Sequence, residues 1–355
     1  MRSVADAAAQ PLERDPAARV LVAGASGLAG ALAAELVWRH PSLELASVTS
    51  RSDVGARLDE LHPRRRVPMQ LTELDLDLIE GVDAAIVAYP HGASAPTVAQ
   101  LRGLGIQVCD LSADFRLGDI GTYEEWYGPH GAPELLEDAV YGLPEIERSS
   151  IADAGLVANP GCYPTASVLA LAPLAEQDLL NDVTIDAKSG ASGAGRGTDE
   201  SLSFVNVDEN LRPYATDGHR HLPEIAERLS AIGTSDSAVS FVPHLAPLDQ
   251  GELVSCYVKL REPREVADLR ALYEARYADE PFVELVNAPP GVRDVRDTNV
   301  CRVYVEGLRS VGPGAEDQDR VVVFAAIDNL WKGAASQAVQ NLNLMLGLPE
   351  TEGIS

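Results

Sequence analysis

The strongest constraint on the fold lies near the start of the chain. Arg19-Val20-Leu21-Val22-Ala23 runs into Gly24-Ala25-Ser26-Gly27-Leu28-Ala29-Gly30, and a helix-like segment follows from Ala31 to Arg39. Glycines between a strand and a helix let the backbone approach a pyrophosphate, and the helix start supplies unpaired N–H groups. The spacing is G-x-x-G-x-x-G and not the commoner G-x-G-x-x-G, so the triplet alone would also fit a plain tight turn. Its flanks favour a dinucleotide site built on Gly24, Ser26, Gly27, Leu28 and Gly30. Further apolar strands are expected over residues 43–48, 84–88, 106–110 and 155–158, with a helix over 95–104. Strands and helices alternating at this size predict a parallel sheet covered on both faces. Residues 118–148, rich in Gly, Pro and aromatics, read as irregular.

The end of the second strand chooses between cofactors. An NAD site usually has an acid there for the ribose 2′-OH, whereas an arginine accommodates a 2′-phosphate. This chain has Thr49-Ser50-Arg51-Ser52, so Ser50 and Arg51 point to NADP(H); Asp53 just beyond leaves NAD open, and Arg51 could be an ordinary surface charge. Pro90-His91-Gly92 closes the third strand and is a further cofactor candidate.

A second constraint is Asn159-Pro160-Gly161-Cys162-Tyr163-Pro164-Thr165, a cysteine between a Pro-Gly turn and the start of a helix. The unpaired N–H groups there favour thiolate and hence a nucleophile; the plain alternative is a small buried cysteine. A nucleophile needs a base or charge partner. His219-Arg220-His221-Leu222-Pro223-Glu224 offers two histidines, which an extended segment would point to opposite sides, so only one is expected at the thiol. Lys188-Ser189-Gly190-Ala191-Ser192-Gly193-Ala194-Gly195-Arg196 follows a strand; its small residues admit a ligand and Arg196 could bind an anion, unless this is a flexible surface loop. Ser112-Ala113-Asp114-Phe115-Arg116 is another anion candidate, or a structural ion pair.

Strands over 183–187, 237–243, 253–260, 300–306 and 321–327, with helices over 266–277 and 331–346, predict a second domain with an antiparallel or mixed sheet, one face open. Residues 312–317 read as a turn-rich loop and the residues through Pro16 as a loose tail without a signal peptide. The 355 residues, 46% hydrophobic, suffice for two cores. A formal net charge of -26 argues against nucleic acid, and no apolar run is long enough to span a membrane. Four widely spaced cysteines without metal spacing suit a reducing cytosol and predict no metal.

Taken together, these motifs resemble the N-acetyl-γ-glutamyl-phosphate reductase family. The resemblance is carried by the glycine loop, Pro90-His91-Gly92, Ala113-Asp114-Phe115-Arg116-Leu117, Tyr141-Gly142-Leu143-Pro144-Glu145, Asn159 to Thr165, Ser189 to Arg196, His219-Arg220-His221-x-Pro223-Glu224-Ile225, and Ala326-Ile327-Asp328-Asn329-Leu330-x-Lys332-Gly333. Leu222 departs from the threonine expected in the histidine motif. The resemblance implies an α/β protein: a Rossmann-type domain over 17–161 and 329–355, with the last helix packed back on it, and an α+β catalytic and oligomerisation domain with a mixed, largely antiparallel sheet over 162–328. It implies NADPH-dependent reduction of an acyl phosphate to an aldehyde in the cytoplasm, in arginine biosynthesis, by a homodimer or homotetramer. Cys162 would be the nucleophile, His219 the acid/base with His221 second, and Arg116, Ser189, Arg196 and Glu224 the substrate ligands; Asn329 would lie near the nicotinamide. Two alternatives stand beside this: the homologous reductase of aminoadipyl phosphates in lysine biosynthesis, one methylene longer, and a nucleotide-binding sensor without chemistry.

Overall fold

In the computed structural model all residues are described except 1–15, 197–199, 235–236, 310 and 312–318. The expected tail up to residue 15 and the turn-rich loop 312–317 lie outside the described residues. Contacts divide the chain into two units, one holding residues up to Asn159 together with Ala335–Ser355, the other Pro160–Ala334.

The first unit is built on β1 (Ala18–Ala23), β2 (Leu43–Thr49), β3 (Ala84–Val87), β4 (Gln107–Asp110), β5 (Ala139–Tyr141) and β6 (Leu156–Ala158). They form one sheet in the order β2-β1-β3-β4-β6-β5, and every pair is parallel. Strands buried on both faces read as continuous apolar runs, and Ala84-Ala85-Ile86-Val87 is one of them, without an exposed atom. The helices are α1 (Leu28–Arg39), α2 (Leu58–Leu61), α3 (Ala95–Gly103), α4 (Ile120–Tyr127) and α5 (Pro144–Ala152). Leu21, Val87, Val98, Leu101, Phe115 and Leu156 share one core. From β1 the chain goes to β2 on one side and returns to β3 on the other. That reversal opens a crevice at the carboxyl end of β1, where the glycine loop stands. The stretch 118–148, read as irregular, in fact holds α4, β5 and the start of α5. A three-residue edge strand is too short for a visible pattern.

The second unit contains α6 (Cys162–Glu176), β7 (Leu180–Ser189), α7 (Phe204–Val207), β8 (Arg212–Pro213), α8 (His221–Ile232), β9 (Ala238–Leu245), β10 (Glu252–Leu260), α9 (Val266–Tyr277), β11 (Val283–Leu285), β12 (Cys301–Gly307) and β13 (Arg320–Ile327). Its sheet runs β11-β12-β13-β10-β7-β9-β8. The β11–β12 and β7–β9 pairs are parallel and the others antiparallel, so the sheet is mixed and largely antiparallel as expected. Along β7, Val183, Ile185 and Ala187 are buried while Asp182 and Thr184 are exposed, the period-2 alternation of a sheet covered on one face. The apolar α6 covers that buried face, touching β7, β10, β12 and β13.

Pro173 lies inside α6. It has no N–H for the carbonyl of Leu169. Tyr277 Oη of α9 donates to that oxygen at 2.5 Å, and Tyr273 Oη donates to Ala170 O at 2.5 Å. Trp331–Ala335 is a π-helical turn, and α10 (Ser336–Met345) follows. Helix α10 belongs to the first unit, where it touches α1, α5 and β4.

Candidate active site

Two clusters of the expected residues form, one inside each unit. In the first, Gly24 has φ +84 and a Cβ on it would fall 2.5 Å from Ala88 O. A Cβ on Gly30 would fall 2.3 Å from Gly24 O. Neither position admits another residue without moving backbone, which is what a close cofactor cradle requires. Gly27 caps α1 and has no side chain to cap the first-turn N–H groups, which suits an anion there. Ser26 Oγ and Ser50 Oγ are hydrogen-bonded at 2.9 Å, and Ser50 Oγ accepts from Ser52 N and Asp53 N. The Arg51 guanidinium lies 4.1 Å over the Tyr89 ring and donates to Ala93 O. An exposed cation held on an aromatic face beside two serines, at the end of β2, fits a 2′-phosphate. Asp53 instead accepts from Ser52 Oγ. These residues fit NADP(H).

Asp114 holds the neighbouring loop. Its carboxylate accepts from Gly92 N at 2.6 Å, Ser94 N at 3.1 Å, Ala95 N at 2.9 Å and Tyr123 Oη at 3.0 Å. It thereby caps α3 and fixes Pro90-His91-Gly92, while His91 Nδ1 accepts from Ala113 N. Arg116 is buried, with Nε donating to Asn159 O at 2.8 Å and one Nη to Leu111 O at 2.7 Å. Those carbonyls follow β6 and β4. In the structure Arg116 braces the strand end that leads to Cys162.

The second cluster surrounds Cys162, the first residue of α6 and only partly exposed. Glu224, buried in the first turn of α8, accepts from Gly161 N at 3.0 Å and so pins the turn before the sulfur. A Cβ on Gly333 would come 2.7 Å from Cys162 Cβ, so the π-helical turn reaches the cysteine only because residue 333 is glycine. Both histidines stand beside Tyr163, the next residue: His219 at 5.7 Å and His221 at 5.8 Å between ring centroids. Tyr214 and Phe241 complete the wall around His219. His219 Nδ1 accepts from His221 N at 3.1 Å, which puts the ring proton on Nε2. Burial, then the charge of Arg220, lowers the His219 pKa to about 4. The ring is a neutral Nε2–H donor at physiological pH.

Asn329 is buried, with Oδ1 accepting from Gly251 N at 2.7 Å and Nδ2 donating to Ser192 Oγ at 2.9 Å. It clamps the small-residue loop after β7 against the start of β10. Asp328 braces the same corner, accepting from Leu330 N, Trp331 N, Gln250 Nε2 and Asp297 N. Arg196 is exposed and Ser189 buried at the end of β7.

One residue of this cluster escaped the sequence reading: Glu252, fully buried at the start of β10 beside Cys162 and Ser189. Its signal was an acid, directly after a glycine, on the strand face whose other residues are Val254, Cys256, Val258 and Leu260. Gly333 was read only as part of a motif; its closeness to Cys162 depends on tertiary contact.

The sequence matches the semialdehyde dehydrogenase NAD binding domain over residues 19–154 and the semialdehyde dehydrogenase dimerisation domain over 162–329. It is 46% identical over 340 residues to N-acetyl-gamma-glutamyl-phosphate reductase of Halorhodospira halophila, covering 94% of this chain and 96% of that one. The protein of that name from Pelotomaculum thermopropionicum is 44% identical over 347 residues, covering 96% and 98%. Among solved structures, aspartate semialdehyde dehydrogenase II from Vibrio cholerae, complexed with ASA, matches with a TM-score of 0.71 at 18% identity, over 93% of this chain and 98% of that one. Aspartate semialdehyde dehydrogenase with NADP from Candida albicans matches with a TM-score of 0.68 at 14% identity, over 92% and 98%. At such identities these two structures speak for the fold.

Proposed function

Since the chain belongs to the N-acetyl-γ-glutamyl-phosphate reductase family, we infer that it reduces N-acetyl-γ-glutamyl phosphate to N-acetylglutamate 5-semialdehyde and phosphate, in arginine biosynthesis. The observation that carries the mechanism is Cys162 at the start of α6, with its turn pinned by Glu224 and the neutral His219 nearby. The Cys162 sulfur attacks the acyl carbon. The C–O bond to phosphate breaks, and a thioester remains on the protein. NADPH, when bound, supplies the hydride that reduces this thioester. The glycine loop 24–30, Ser50 and Arg51 would hold it, with Pro90, His91 and Gly92 bordering the site. His219, with its proton on Nε2, would donate to the carbonyl oxygen and stabilise the negative charge developing there, and His221 N–H keeps it in that tautomer. The C–S bond then breaks and aldehyde leaves. Arg196 would meet an anionic group of the substrate, Ser189 would line its pocket, Arg116 would brace the ends of β4 and β6, and Asn329 would act by fixing the loop that carries Ser192.

The family names of the relatives favour the acetylglutamyl substrate over its aminoadipyl homologue. One methylene is worth only ~1–3 kcal/mol of discrimination, so kcat/KM for the two semialdehydes should differ by no more than about two orders of magnitude. The test runs the reaction in reverse, with N-acetylglutamate 5-semialdehyde, NADP and phosphate. Cys162→Ala should abolish turnover and retain NADP binding; full activity in that variant would overturn the mechanism.

The match to a dimerisation domain supports oligomerisation through the second unit. We propose a homodimer or homotetramer, to be read from the solution mass by light scattering. Among the described residues no helix is long and apolar enough to cross a membrane; a cytoplasmic location is the corresponding proposal, checked by cell fractionation.

A further inference from the structure

Among the described residues none supplies Glu252 with a counter-charge. It opens β10 inside the second unit, shielded from solvent, in register with Ser189 of β7 on one side and Ile327 of β13 on the other. Neither carboxyl oxygen has a well-formed hydrogen bond, although the Cys162 thiol and the Ser189 hydroxyl lie close enough to favour its charged form. Among the described residues the polar groups that face it are Cys162 and Tyr163 from α6, Ser189 from β7, Tyr214 after β8 and Asp328 after β13. None carries a positive charge. A buried carboxyl in such surroundings is destabilising, so its presence calls for a reason other than packing, and the group nearest in chemistry is the sulfur.

We propose that Glu252 is the proton relay of Cys162, taking the thiol proton as the sulfur attacks and returning it as the aldehyde leaves. The proposal rests on the reading of Cys162 as nucleophile. In the first step the S–H proton passes to the Glu252 carboxylate, the sulfur pair forms the C–S bond, and the C–O bond to phosphate breaks. The released phosphate takes one proton from solvent. Hydride addition to the thioester carbon leaves an alkoxide. The alkoxide re-forms C=O, the C–S bond breaks with its electron pair going to sulfur, and the Glu252 proton moves to sulfur. Thiol and carboxylate are restored, and one solvent proton is consumed per turnover.

His219 does not fill this place. Its Nδ1 is engaged by His221 N–H, and its ring stays neutral down to about pH 4. Burial instead raises the Glu252 pKa to about 8, which lets one carboxyl both take and return a proton near neutral pH.

The test uses the full-length enzyme with N-acetylglutamate 5-semialdehyde, NADP and phosphate. Glu252→Gln should lower kcat by about 100-fold or more, keep all three KM values within about threefold, and remove the limb of the pH–kcat profile near pH 8. Glu252→Asp should regain part of kcat with that limb displaced. Turnover of the glutamine variant within about threefold of wild type, or an unchanged limb, overturns the relay. A measurement on the wild type needs no variant to fold. Iodoacetamide labelling of Cys162, followed by peptide mass spectrometry against pH, should show a coupled two-step titration with one step near pH 8; a single step overturns the proposal. Cys162→Ala separates the two readings. If it turns over normally, the nucleophile is wrong and the relay falls with it; if it is dead while Glu252→Gln is fully active, only the relay falls.

Discussion

At the scale of single residues, the cysteine corner is close-packed and sparing of charge, and both properties can be tested. Gly333 is the only residue type that fits against Cys162 Cβ. Gly333→Ala should cost about 1–3 kcal/mol of stability by overpacking and lower kcat by moving the sulfur, measured by urea unfolding beside steady-state kinetics. The His219 C2 proton should titrate in NMR with a midpoint of about 4 rather than 6.5. Between those values the unfolded chain binds a proton at this residue and the folded chain does not. Its contribution to stability is therefore present above pH 6.5 and lost as pH falls toward 4. Glu252 has the opposite sign. Its folded pKa of about 8 lies above the ordinary 4.5, so the folded state holds the proton more tightly and stability falls as pH rises through that window. Accordingly the Tm of Glu252→Gln relative to wild type should rise from pH 5 to pH 9.

Elements differ in how far the sequence announces them. The helix over 266–277 and the strands of β1, β2 and β10 were legible, because each repeats its apolar pattern over enough residues to declare a period. β5, β8 and β11 were not: at two or three residues they exist only because a neighbour supplies hydrogen bonds. Similarly, the Cys162 motif was visible as chemistry, whereas Glu252 and Gly333 join it only through contacts between distant stretches. Tertiary repair also helps α6 to continue through Pro173, since Tyr277 of α9 satisfies the carbonyl of Leu169. Tyr277→Phe leaves that buried acceptor unpaired and should destabilise the protein by about 1–3 kcal/mol, seen as a lower urea midpoint with an unchanged m-value.

At the scale of the whole molecule, a net charge of -26 stores self-repulsion that salt screens. Raising NaCl at pH 7 should therefore raise Tm, and a Tm that stays flat or falls would contradict this. The parallel sheet of the first unit and the mixed sheet of the second were both foreseeable from the change in strand pattern near Cys162. That the last helix packs back on the first domain was an expectation of the family resemblance and not of the strand pattern. The first unit takes α10 from beyond the second, and Ser336 to Asn343 are all buried there. Asn341 donates from that helix to Gly142 O and Asn159 Oδ1. On the ribosome, where chains emerge from the N-terminus and domains tend to fold as they appear, the first sheet lacks its α10 covering until that helix emerges. The second unit is complete in the nascent chain before the first can close. A truncated transcript or a stalled ribosome therefore yields a chain whose nucleotide-binding sheet lacks its α10 covering, which is a natural mark for proteolytic quality control.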